Sequence, residues 1–274
     1  DVTLGQATGG AASSINAAAS TGKISLTTTT LAPTVTTGSG VDTITADGVD
    51  VHTISLGAGA DIMNITNTTD GSSFDGGEGN DTFNVDDVDT YSVVGGAGDD
   101  EFTTAVALKA TLFGGSGTDT LTIDGAGALT MDSTFLMNSI EELDLTAVND
   151  VLTLDDESFA SNKTMILIGN AAADTLKIVG DNTSGATIDG SGLTIKSGST
   201  VTIQYLGGTK ADTITGGVAA ETFFHSLGAD VIEGGATGTD TFSITDLTLT
   251  PTGSTNAATG VVINDGSSDI ANVT

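Results

Sequence analysis

Three stretches of the chain, GGEGNDTFN (76–84), GGAGDDEFT (95–103) and GGSGTDTLT (114–122), fit one nine-residue template, Gly-Gly-x-Gly-x-Asp-x-apolar-x. Looser copies flank them. GSGVDTIT (38–45) and GAGADIMN (57–64) come before, and GNAAADTLK (169–177), GGTKADTIT (207–215), GGVAAETFF (216–224), SLGADVIE (226–233) and GGATGTDTFS (234–243) come after. The acidic position sets the period. Asp42, Asp61, Asp81, Asp100 and Asp119 are separated by 19, 20, 19 and 19 residues, and Asp174 precedes Asp212 by 38. Asp212, Glu221, Asp230 and Asp240 are then separated by 9, 9 and 10. A unit this short cannot bury an apolar face alone, so it folds only by stacking on its neighbours.

Two nonapeptides make about 18 residues, so the longer spacing predicts one turn of a solenoid with one glycine corner per coil, and the shorter spacing a corner on both sides. Asp212 and Asp230 are then expected on one edge, and Glu221 and Asp240 on the other. Two residues after each acid stands an apolar residue: Ile44, Met63, Phe83, Phe102, Leu121, Leu176, Ile214, Phe223, Ile232 and Phe242. Strand side chains alternate, so these ten are expected to pile on one another inside the coils while the flanking Thr, Asn and Ser face out.

The corners carry their own chemistry. A reversal within a few residues needs positive φ, which favours glycine. Absent side chains also let carbonyl and carboxylate oxygens converge, and these are the ligands of a hard cation such as Ca²⁺. Stacked coils lie about 4.8 Å apart. Two carboxylates at that distance repel by about 0.9 kcal/mol in water and about 3.5 kcal/mol at an effective dielectric of about 20. Calcium between them turns the repulsion into attraction, so metal binding is expected to be folding energy here. Plain turn chemistry also uses Asp and Gly, but repetition in register favours the cation. The expected metal residues by position are Asp42, Asp61, Asp81, Asp100, Asp119, Asp212, Asp230 and Asp240. Asp174, Glu221 with its longer arm, and Lys210 at the place of the third glycine leave their corners open, filled or empty.

Composition narrows the function. The chain of 274 residues holds 36 acidic residues, six lysines and no arginine, for a formal charge of -30. That excludes nucleic acid and an anionic membrane as partners, since both need clustered cations. An apolar fraction of 38% in alternating runs argues for folding rather than disorder. No cysteine is present, and no apolar stretch is long enough to span a bilayer. The chain begins with Asp1 and is expected to be processed or part of something longer. His52 and His225 lie far apart in the repeat and make no zinc site. No Ser/His/Asp constellation stands out, no phosphate loop with Lys appears, and the lack of Trp argues against a sugar-cleaving cleft. No enzyme activity, and so no catalytic residue, is expected.

The segments in between are plainer. Residues 1–37, rich in Ala, Ser and Thr, are read as further coils or a linker. Residues 38–122 form the part with one corner per coil. Residues 123–206 are degenerate coils with few calcium corners; there, Asp150 is a worn corner, and Asp155, Asp156 and Glu157 cap a short helix over 158–163. Residues 207–274 form a two-sided β-roll ending in loop and coils, with a loop over 251–260.

The nonapeptide is an already recognised calcium-binding signature, matched here rather than deduced. It resembles that of the RTX (repeats-in-toxin) group of secreted bacterial proteins, over residues 38–122 and 207–243. The resemblance implies an all-β, right-handed parallel β-roll or β-helix solenoid with several Ca²⁺ ions. It also implies that the first and third corner residues offer backbone oxygens and the sixth a carboxylate: Gly76, Glu78 and Asp81; Gly95, Ala97 and Asp100; Gly114, Ser116 and Asp119. The order DTLTIDG, spacer, SIEELDL is further similar to calcium-dependent surface-layer proteins of Gram-negative bacteria, with no toxin or protease segment alongside. The implied role is a self-assembling extracellular lattice component exported by type I secretion, held to surface polysaccharide through another part of the parent chain. The stalk of an RTX adhesin, or an accessory calcium-binding domain of a secreted enzyme, is the alternative.

Overall fold

The computed structural model describes residues 2–8, 14–30, 34–125, 127–145, 150–160, 162, 164–181, 183–224, 230–235, 238–243, 262–264 and 272–273. Of these, 2–8, 29–30, 171–173, 262–264 and 272–273 are described by backbone alone. His225 and the expected loop over 251–260 lie outside the described residues.

The protein is a parallel β-solenoid, nearly all strand, with a single described helix of five residues. Its chain forms two compact units, residues 1–126 with Thr134–Asp144, and Gly127–Ser133 with 145–274. The segment expected as degenerate coils, 123–206, contributes to both.

In the first unit, strands alternate between two sheets. One runs through Ile24–Thr30, Thr43–Asp47, Ile62–Thr66, Thr82–Val85, Glu101–Thr104, Thr120–Ile123 and Glu142–Asp144. The other runs through Ser14–Asn16, Thr34–Thr36, Thr53–Ala58, Ser73–Glu78, Ser92–Ala97, Thr111–Ser116 and Leu136–Asn138. Each strand pairs in parallel with the strand two places along the chain, except that Thr111–Ser116 and Thr120–Ile123 pair with partners three places along, Ala128–Thr130 lying between. The Ala- and Thr-rich start of the chain thus makes coils rather than a linker, joining both sheets through Val2–Thr8, Ser14–Asn16, Ile24–Thr30 and Thr34–Thr36. Glycine-bearing corners join the second sheet to the first, one per coil, except in the last, where Ser139–Ile140–Glu141 makes the turn.

The core follows from the alternation. Ile44, Met63, Phe83, Phe102, Leu121 and Leu143 lie in one buried column, each paired with the next coil. Val35, Ile54, Phe74, Val93, Leu112 and Met137 make the matching column of the other sheet. Phe83 and Phe102 stack face to face, centroids 5.0 Å apart and planes 10° from parallel, a spacing set by the strand separation.

The second unit has a different coil. Strands such as Val151–Asp155, Asn170–Val179, Thr200–Leu206, Glu221–Phe224 and Thr241–Ser243 form one sheet. Thr187–Asp189, Thr213–Thr215, Val231–Glu233 and Val262–Asn264 form another, and Thr164–Ile168 pairs with Gly192–Ile195. The single pile of ten apolar residues is therefore corrected. Only Ile44 through Leu121 share a column. Ile214 stacks on Ile232 in the smaller sheet. Leu176 stacks on Ile203, whereas Phe223 stacks between Tyr205 and Phe242, two residues further along the strand. The nine-residue spacing sends successive corners to opposite sheets, which parts Ile214 and Ile232 from Phe223 and Phe242, while a two-residue offset in register parts Leu176 from Phe223 within one sheet. All ten are buried.

The helix spans Asp156–Ala160, two residues earlier than expected over 158–163. Asp155 accepts the Glu157 N–H at 3.2 Å and so caps it. No helix among the described residues is long and apolar enough to cross a membrane.

Candidate metal centre

The corner acids of the first unit form a continuous ladder. Oδ1 of each accepts the backbone N–H of the residue in the same position one coil earlier. Asp42 takes Ile24, Asp61 takes Asp42, Asp81 takes Asp61, Asp100 takes Asp81 and Asp119 takes Asp100, at 2.6–2.9 Å. All five acids are buried, with 1% exposure or less, on a chain of net charge -30. Burial of so many carboxylates needs a compensating partner.

The second oxygen of each has none. Oδ2 of Asp42, Asp61, Asp81, Asp100 and Asp119 is buried and accepts no hydrogen bond. Those of Asp81, Asp100 and Asp119 lie beside the first glycine of their own corner. A methyl group placed on Gly76 would meet Asp81 Oδ2 and, at 2.5 Å, the carbonyl oxygen of Gly95 in the next coil. Gly95 stands likewise between Asp100 Oδ2 and the Gly114 carbonyl, the latter at 2.6 Å. Two acceptor oxygens thus converge on one point with no donor between them. A proton or a cation resolves that arrangement, and an all-oxygen donor set of one carboxylate and one carbonyl suits a hard divalent ion. The residues fit calcium.

The same crowding shows in the acidities. Burial, reinforced by neighbouring acids of the column, pushes Asp61 and Asp100 up to about 7, against the backbone hydrogen bonds that oppose the shift. Asp81 and Asp119 are raised by burial as well.

Glycine holds the corners open. Gly77, Gly96 and Gly115 have φ of 104°, 117° and 123°, and Gly79, Gly98 and Gly117 follow at 125°, 131° and 138°. Each also receives the carbonyl of the glycine beneath it where a side chain would begin. The third-position carbonyls expected as ligands are already engaged. Glu78, Ala97 and Ser116 accept the N–H of Gly59, Gly79 and Gly98 at 2.7–2.8 Å, each using one of its two lone pairs. A second, outer ladder runs beside the first, with Asp99 N–H on Asn80 Oδ1 and Thr118 N–H on Asp99 Oδ1.

The acids of the second unit form separate columns. Asp212 stacks on Asp230, and Glu221 on Asp240, each through a backbone N–H to the next carboxylate at 3.1 Å. The expected two-edged arrangement of these four holds. Asp212 and Glu221 differ from the acids of the first unit, whereas Asp240 Oδ2 lies beside the first glycine of its corner, Gly234, as those do. Asp212 Oδ2 accepts the Gly208 N–H at 2.7 Å, and Glu221 Oε1 the Gly217 N–H at 2.9 Å, both within their own corners. Asp174 does the same with Asn170. Glu221 Oε2 remains buried with no partner, and burial raises the carboxyl to about 8. Asp150 is buried and precedes Asp174 by one coil, where its carbonyl accepts Thr175 N–H.

Glu141 enters the site unannounced. Thr120 pairs with Glu142 and Leu121 with Leu143, so Glu141 stands one coil beyond Asp119 in the acidic position. The pattern acid-x-Leu-x-apolar, shared by DTLTI (119–123) and EELDL (141–145), was the available signal. A spacing of 22 in place of 19, and a missing glycine triplet, hid it.

Two other groups are structural. Asp155, Asp156 and Glu157 bring oxygens within 4.8 Å of one another at the helix start, where Asp156 also accepts the Asp181 N–H. His52 is buried between Thr28 Oγ1 and the Gly48 carbonyl, each 3.4 Å away, and burial lowers its pKa. Comparison of the chain with protein-family models, with curated proteins and with solved structures found no match.

Proposed function

We propose that this chain is a calcium-stabilised structural solenoid of the RTX type, a non-enzymatic component of a bacterial cell-surface layer that assembles with copies of itself outside the cell. The observation that supports calcium is the row of five buried carboxylate oxygens that accept no hydrogen bond, three of which, on Asp81, Asp100 and Asp119, converge with a carbonyl oxygen of the next coil. In this reading Asp42, Asp61, Asp81, Asp100 and Asp119 supply charge, and Gly95 and Gly114 supply carbonyl oxygens from the adjoining coil. The ion's role is to neutralise a column that otherwise repels itself. Asp212, Asp230 and Asp240 serve as secondary ligands, because Asp212 already has an internal donor for its second oxygen.

The lattice role rests on composition: strands rich in Thr and Ala, few lysines, and a repeat that occupies much of the chain. Electron microscopy with and without Ca²⁺ tests it. Ordered two-dimensional sheets that form only with calcium are the expected result. Isolated rods under both conditions would replace the lattice by an adhesin stalk. Circular dichroism in EDTA tests the metal itself, and a β spectrum and melting temperature indifferent to calcium would remove it.

A further inference from the structure

The structure assigns Ser139 and Glu141 to a further divalent-cation site, shared with Asp119, that closes the acidic column at its C-terminal end. This inference rests on the calcium reading of the same column, and extends it to residues outside the nonapeptide template.

The register places both residues. In the regular corners the residue after each acid donates its N–H to the carbonyl of the acid one coil back, as Thr120 does to Asp100 and Glu101 to Asp81. Glu142 makes the same bond to Asp119, at 2.9 Å. Glu141 Oε2 in turn accepts the Asp119 N–H at 2.9 Å, as Asp119 Oδ1 accepts that of Asp100. Glu141 is thus the sixth rung. Ser139 fills the other half of the motif. Its carbonyl oxygen occupies the place beside Gly114 that Gly114's own carbonyl occupies beside Gly95. It reaches that place with φ of +52°, a conformation unusual for a residue other than glycine.

The independent pointer to a ligand is Asp119. It is fully buried, and its Oδ2 has no hydrogen-bond partner. That oxygen and the Ser139 carbonyl meet at the same point beside Gly114. One buried carboxylate oxygen, one carbonyl oxygen and the adjacent Glu141 carboxylate form an oxygen-only site with charge for a divalent ion. In the ordinary corner the first glycine and the acid are five apart, whereas Ser139 and Glu141 are two apart. A glutamate's extra methylene makes up reach that the shortened turn lacks.

The experiment separates a ligand from a mere cap. Glu141→Gln keeps an oxygen that can accept the Asp119 N–H but removes the charge. Glu142→Gln, on the same strand, removes one charge beside the site. Bound Ca²⁺ per chain is counted by equilibrium dialysis, and affinities are read by titration calorimetry. Loss of one ion by Glu141→Gln, or weakening of one site on the order of tenfold, with Glu142→Gln unchanged, is expected. Full occupancy and affinity in Glu141→Gln overturns the assignment, as does an equal loss in both variants. Anomalous scattering from crystals of the unaltered protein in Ca²⁺ reads the same site without a variant. A peak between Asp119, Ser139 and Glu141 supports it, and peaks at the other corners without one there overturn it. Absence of calcium binding altogether would remove the column's reading as well, and is distinguishable from these outcomes.

Discussion

At the scale of single residues, the corner aspartates present two oxygens with different fates. Oδ1 holds the coil before it, and Oδ2 faces a carbonyl. Asp100→Asn therefore has opposite effects in two conditions. The amide keeps the Asp81 bond and offers an N–H towards the Gly114 carbonyl. In EDTA the variant is expected to be more stable than the parent, by about 1–3 kcal/mol, and in saturating calcium less stable, as read by urea denaturation. Destabilisation in both would mean that the carboxylate serves the fold without a metal. The pH dependence follows from the same atoms. Asp61 and Asp100 titrate at about 7 when folded against a reference of 3.8. A raised carboxyl favours the folded state below the reference value, and that stability is lost as the pH rises through 7. The calcium-free protein is expected to melt higher at pH 4.5 than at pH 8, while calcium binding at pH 7 releases protons. A flat profile in EDTA would count against the buried column. Gly96→Ala, at φ 117° and against the Gly77 carbonyl, is expected to cost at least about 2 kcal/mol even with calcium present.

At the scale of elements, two parallel sheets close on paired columns of apolar side chains. Phe102 stacks between Phe83 and Leu121 and is fully buried. Truncation to alanine opens a void in a column that cannot collapse without shifting coils, at a cost of about 3–5 kcal/mol in urea unfolding with calcium saturating. A change under 1 kcal/mol would show that the coils slide to fill it. Much of this element pattern was legible, because a period of 19 fixes the coil and the residue two beyond each acid fixes the inward face. What eluded the reading has local causes. Phe223 and Phe242 left the expected pile because alternate corners belong to alternate sheets. The helix began at Asp156 because Asp155, rather than a later acid, takes the capping bond. Glu141 escaped because strand pairing restores a register that counting along the chain had lost. The satisfaction of Asp212 by Gly208 is invisible in sequence altogether, since it depends on where one N–H points.

At the scale of the molecule, -30 charges on 27.0 kDa make stability a matter of counterions. Monovalent salt is expected to raise the calcium-free melting temperature modestly by screening exposed acids, without reproducing the effect of Ca²⁺ on the buried ones. Mg²⁺, which holds its waters in a tight octahedron, is expected to substitute poorly. Equal stabilisation by millimolar Mg²⁺ and Ca²⁺ would point to diffuse screening instead. The acidic ladder also has a direction. Every rung reaches backwards, so each coil's free amide waits for a carboxylate supplied by the coil that comes after it. A chain that folds as it is synthesised, N-terminal coils first, carries one unfinished rung at its trailing edge until residue 141 joins the stack.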